Sequence, residues 1–117
     1  MPRMIDLFRS SAASAQVMQT AARGALHVPP EEMIEILVYL ATQTKIFAER
    51  ARLTLAGWDE ASSRTAAANP TTPKEVLAYL IAPGNLRPTL LPALLENPAV
   101  PEKSLAELAA AASRYML

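Results

Sequence analysis

Apolar and polar positions along this chain alternate with helical spacing, and prolines mark where each run begins. From about Ser14 to Arg23 the stretch "SAQVMQTAAR" repeats its apolar residues at three and four, and Gly24 is a natural stop. Ile5, Leu7 and Phe8 lie upstream, and whether their turn belongs to the same helix is open, because Ser10, Ser11 and Ser14 weaken the join. "HVPPEEMIEILVYLATQ" is the clearest helix. Pro30 suits its first position, where a missing N–H costs nothing, and Glu31 and Glu32 meet the positive end of the helix dipole. Its apolar set, Met33 to Leu40, is wide enough to predict burial on more than one side.

A third run, "TKIFAERARLTLAG", carries Ile46, Phe47, Ala51, Leu53 and Leu55 and stops at Gly57. Trp58 follows, where an apolar residue packs back on the helix it leaves, and Asp59 reads as the N-cap of "EASSRTAAA", which ends at Asn69. Thr72 can cap the next helix, which Pro73 opens through "KEVLAYLIA", and Pro83 to Asn85 form a turn. Pro92 falls where a helix is expected; with Thr89 as N-cap and a start near Leu90, Pro92 sits in the first turn, whose N–H groups have no helical partner. Pro101 opens the last helix, "EKSLAELAAAASRYM".

Two of these boundaries are written in the same way. "NPTTPKEVLAYL" begins at Asn69 and "NPAVPEKSLAEL" at Asn97, an offset of 28 residues. A residue before proline is pushed out of the α region, which ends the preceding helix. The asparagine side chain can bond its own backbone two residues on, and the second proline restarts a helix. Aligning Pro30, Pro73 and Pro101 places Ile34, Leu77 and Leu105 four residues on, and Leu37, Leu80 and Leu108 seven residues on, along one helix face. Met33, Val76 and Ser104 stand at plus three, and Trp58 aligns with Leu86 as an apolar plug before a connecting helix. A unit with such a stripe cannot bury it alone and stacks on its neighbours.

Composition agrees with an all-α fold. Of 117 residues, 51% are hydrophobic and only 5% aromatic, with three glycines, and ten prolines fit such a fold when they sit at helix starts and between helices. The size is that of one domain, read as 1–26 for an N-terminal capping region, 27–68 for a first, longer repeat, and 69–117 for the Asn-Pro-x-x-Pro repeats and terminal helix.

"NPTTPKEVLAYL…RPTLLPALLENPAVPEKSLAEL" resembles the HEAT-like and leucine-rich repeat variant α-solenoids of bacteria, well over Asn69 to Leu108 and loosely over His27 to Ala68. The resemblance implies a short α-solenoid of about six or seven helices, serving as a scaffold that binds a protein and holding no active site. The chain departs from the pattern in the 43 residues from Pro30 to Pro73, which carry an extra helix, and it lacks the cysteines of the iron–sulfur segment that stands beside some variant repeats.

Chemistry-bearing motifs are sparse. Without cysteine there are no disulfides or thiolate ligands, and the expectation is no cofactor, no metal site and no catalytic residue. His27 lacks a local partner to orient it as a base. The serines of "SSAAS" and "ASSR" lie outside any Gly-x-Ser-x-Gly elbow, and the Glu31–Glu32 and Asp59–Glu60 pairs fall at helix starts. A net charge of zero weighs against nucleic acid. No apolar run is long enough to span a bilayer and the first residues lack the core of a signal peptide, so the reading is cytoplasmic, with no membrane. Candidate interaction residues are Tyr39 and Tyr79 beside the leucine stripe, Tyr115 and Met116 at an alanine-rich terminal helix that suggests a homo-oligomer, and Arg50, Arg52 and Arg64, which at helical spacing could line a surface for an anionic partner. A solvated charged face is the plainer account of those arginines, and a core role the plainer account of Trp58.

Overall fold

Eight α-helices and one 3-10 turn order the chain, with no strand among the described residues. They are seen in a computed structural model that describes residues 3–116, the side chain of Met116 excepted. The helices are α1 (Met4–Arg9), α2 (Ala15–Ala22), α3 (Pro30–Gln43), α4 (Ala48–Ala56), α5 (Glu60–Ala68), α6 (Lys74–Ile81), α7 (Leu91–Glu96) and α8 (Glu102–Met116). The turn, Pro88–Leu90, leads into α7. The chain divides into two compact units, Met1–Trp58 and Asp59–Leu117.

One helix more than expected arises near the N-terminus. Ser11 takes a left-handed conformation (φ 60°), which separates α1 from α2. The end of α1 is closed by two backbone bonds, Ser11 N–H to the Phe8 carbonyl and Ala12 N–H to the Leu7 carbonyl, the Schellman arrangement. Gly24 (φ 73°) ends α2 in the same way, with its own N–H on Ala21 and that of Ala25 on Thr20. Ser14 caps α2, its hydroxyl accepting from the Val17 N–H at 3.2 Å.

In the first unit α3 is central and packs against α1, α2 and α4. This explains its breadth of apolar residues: Met33, Ile34, Ile36, Leu37, Val38, Leu40 and Ala41 are all buried. Each fully buried Leu or Ile stabilises by about 2 kcal/mol. Glu35 is buried with them and receives the guanidinium groups of Arg3 and Arg9, the latter at 3.3 Å. Glu32 reaches the start of α1, where its Oε1 accepts from the Met4 N–H at 2.9 Å. The glutamates at the start of α3 therefore do more than face the dipole, since Glu32 and Glu35 fasten α1. Gly57 is the C-cap of α4, as its position predicts. Of the apolar set in this region Ala51 and Leu55 are buried, whereas Leu53 and Ile46 are exposed. Trp58 folds back onto Gly24: a Cβ placed there would lie 2.5 Å from the indole ring, and Thr54 flanks the same spot.

The second unit holds two helix pairs in the same order. Helix α5 packs on α7 and its preceding turn, and α6 packs on α8. Asp59 caps α5, accepting from the Ser62 N–H and hydroxyl, each at 2.8 Å. Those two bonds, the backbone one first, hold its carboxyl below the ordinary value of 3.8, and the charge of Arg87 adds to the effect. The asparagines behave as their Asn-Pro context predicts: Asn69 Oδ1 accepts from Thr71 N–H, and Asn97 Oδ1 from Ala99 N–H, both at 2.9 Å. Asn97 does more. Its Nδ2 donates to the carbonyls of Ala67 (2.8 Å) and Asn69 (3.0 Å), tying the end of α7 to the end of α5.

Two boundaries differ from expectation. Thr72 does not cap α6, whose N-cap is Pro73; its hydroxyl donates instead to the Ala66 carbonyl, closing the last turn of α5. Thr89 is not an N-cap either, because it lies inside the 3-10 turn, and α7 starts at Leu91 with Pro92 still in the first turn.

Candidate functional site

The 28-residue offset allows the two helix pairs of the second unit to be compared position by position. In α6 the side chains of Val76, Leu77, Leu80 and Ile81 form one continuous buried arc. Helix α8 buries Ser104, Leu108 and Ala111 but leaves the rest of the corresponding arc open. Leu77 is 0% exposed and its counterpart Leu105 is 50% exposed. Ile81 is buried and Ala109 is exposed. The connecting helices show the same step, since Ala67 is 0% exposed and Leu95 is 46% exposed. What covers the first pair is the second pair, through α5 on α7 and α6 on α8. The second pair presents Leu95, Leu105 and Ala109 without such a cover among the described residues. The stripe expected at plus four is therefore buried at Ile34 and Leu77 but not at Leu105.

Of the predicted arginine group, Arg50 and Arg52 stand on α4 in the first unit and Arg64 on α5 in the second. Arg50 and Arg52 are two residues apart on α4 and so point to opposite sides. Arg52 donates to the Ala41 carbonyl at the end of α3 (3.4 Å), and Arg64, in the second unit, pairs with Glu60 one turn back on α5 (3.6 Å). Arg50 instead shares a cavity of about 360 Å³ with Arg23, and Gln19, Ala22, Ile46 and Phe47 complete its lining. Sequence spacing along one helix could not reveal this pairing, because Arg23 comes from α2's C-cap and the two meet only through the packing of α2 on α4.

Of the aromatic candidates, Tyr39 and Tyr79 are partly buried, and the Tyr79 carbonyl accepts from Asn85 Nδ2 at 3.2 Å. Tyr115 is exposed, with the Arg114 guanidinium 5.7 Å from its ring centroid. It lines a cavity of about 300 Å³ with Ile81, Leu86, Glu107 and Arg114. The side chain of Met116 lies outside the described residues. Leu86 and Trp58, aligned by the repeat, each stand ahead of a connecting helix, the one in this cavity and the other against Gly24. His27 is exposed on the segment between α2 and α3.

No protein-family model, curated protein or solved structure matches this chain. Among the described residues no three side chains of the His, Cys, Asp and Glu types gather as metal ligands, and no helix is long and apolar enough to cross a membrane. The described residues offer exposed leucines on α7 and α8 in the second unit and an arginine-flanked cavity in the first.

Proposed function

We propose that the protein is a short helical-repeat module of the HEAT-like α-solenoid kind, non-enzymatic and cytoplasmic, that holds a protein partner. The observation that carries this reading is the step from buried to exposed at positions 28 residues apart, Ala67 to Leu95 and Leu77 to Leu105. A face whose counterpart is covered by a helix pair is suited to cover by another helical element. Repeat proteins stack in this way, each unit burying its stripe on the next. Leucines at the centre of such a face would supply the apolar contact, and Glu102, exposed three residues before Leu105, its charged margin. A second copy meeting the same face across a twofold axis is the homo-oligomeric form of this reading.

Photo-crosslinking tests it. A benzophenone side chain placed at Leu105 should give one dominant adduct in cells, whereas the same group at Lys103, on the far side of α8, should give none. Equal labelling from both positions, or none from Leu105, would refute the end face as the contact. An adduct of twice the chain's mass identifies a second copy as the partner.

A further inference from the structure

The cavity of the first unit has a chemical character that the repeat does not require. Its floor is Ala22, a buried residue of α2. One wall is the ridge of Gln19 and Arg23, four residues apart and so on one helix face. The other is Phe47 and Arg50, three apart, with Ile46 beside them. Ile46 is 85% exposed, although an isoleucine gains nothing from water. Arg23 and Arg50 are both exposed, and neither takes part in an ion pair among the described residues. Two guanidinium groups without an ion pair therefore flank a mixed hollow of about 360 Å³, its apolar side formed by Ala22, Ile46 and Phe47, near the lower end of the range for ligand pockets. A guanidinium prefers a carboxylate, which it can grip through two parallel N–H bonds.

We propose that this cavity seats an acidic peptide segment of a protein partner. One aliphatic or aromatic side chain enters beside Ile46 and Phe47, and carboxylates on either side of it meet Arg23 and Arg50. Nucleic acid fits the site less well, since tracking a phosphate backbone calls for a row of cations, and Glu49 stands exposed next to Arg50. The site lies wholly in the first unit and does not depend on the Leu95–Leu105 face.

Selection of a displayed library of short random peptides on the full chain tests the proposal. The enriched peptides should carry Leu, Ile, Phe or Trp with Asp or Glu within two positions on either side. The tightest of them, made with a fluorescent label, should lose roughly tenfold or more in affinity on Arg50→Glu and on Arg23→Glu, because each reversal replaces a charge-assisted bond by repulsion. Ile46→Asp should weaken it similarly. All three positions are exposed, and an unchanged urea midpoint would show that folding is intact. The affinity should also fall with added salt, and Leu105→Glu should leave it unchanged. That last result separates this site from the end face, because either can fail while the other stands. Failure to enrich acidic peptides, or binding by either charge reversal as tight as by the unchanged protein, overturns the proposal. So does tighter binding of a single-stranded oligonucleotide than of any selected peptide, or a concentration-dependent dimer that Arg50→Glu abolishes.

Discussion

Asn97→Ala probes the joint between the two helix pairs of the second unit. Asn97 is 5% exposed and makes three hydrogen bonds: Nδ2 to the Ala67 carbonyl at 2.8 Å, Nδ2 to the Asn69 carbonyl at 3.0 Å, and Oδ1 from the Ala99 N–H at 2.9 Å. The first is buried, so its loss strands a carbonyl away from water, at about 1–3 kcal/mol. The other two are only part-buried, and water can replace them in part, so about 0.5 kcal/mol each is reasonable. The sum is about 2–4 kcal/mol. Asn69 is the internal control. It stands in the same Asn-Pro-x-x-Pro frame, but its Oδ1 bonds, to the Thr71 N–H and hydroxyl, are both exposed. Asn69→Ala should therefore cost less than about 1 kcal/mol. Urea unfolding followed by far-UV circular dichroism measures both, and fluorescence of Trp58, the chain's one tryptophan, reports the first unit separately. The expected result is a lowered midpoint in the dichroism signal for Asn97→Ala with the fluorescence midpoint less affected. If the two variants agree within about 0.5 kcal/mol, the joint is not what distinguishes the asparagines and the reasoning is wrong. Asn97→Asp adds a sign. It aims a carboxylate at two carbonyls, which raises its folded pKa. The penalty is therefore absent at low pH and grows as the pH rises past about 4.

Four further outcomes follow from the packing. Leu77→Ala should cost about 2–5 kcal/mol, because Leu77 is fully buried, whereas Leu105→Ala, half exposed at the equivalent position, should cost under about 1 kcal/mol; both are read from urea midpoints. Gly24→Ala should destabilise by at least about 1 kcal/mol and shift the Trp58 emission, since it combines a left-handed φ of 73° with a Cβ placed 2.5 Å from the indole ring. Removing both Arg3 and Arg9 leaves the Glu35 carboxylate buried without a counter-charge, at about 2–3 kcal/mol, and adding Glu35→Gln should recover part of that loss in the same assay. Asp59 has a lowered folded pKa, so its ionised cap contributes fully above 3.8 and the contribution disappears as the pH falls through the folded value; the stability difference between the protein and Asp59→Asn should shrink over that acid range.

Much of the fold was legible because its signals are local. Pro30, Gly24, Gly57 and Asp59 punctuate helices through their own backbone chemistry, and the structure places each of them where its type predicts. The same reading failed where one side chain had two uses. Thr72 is as good a cap for the next helix as a seal for the previous one, and only the packing of α5 decides between them. Ser10, Ser11 and Ser14 marked a weak join but not that it breaks at Ser11, because serine has no strong left-handed preference. The candidate surfaces were less legible still. Helical spacing on one element suggested Arg50 with Arg52, but residues two apart diverge, and the partner of Arg50 lies on another helix. The repeat alignment identified Leu105 as part of the stripe, yet exposure is set by what stands beside a position and not by the position itself.

The Asn97 bonds have a direction. A side chain at the end of α7 reads the main-chain carbonyls at the end of α5, Ala67 and Asn69. Carbonyls belong to every residue, so the end of α5 can change its side chains at these two positions without losing the joint. The end of α7 must keep its amide. A further helix that carried its own asparagine would bring the key, and would find the lock already present in whatever helix end precedes it.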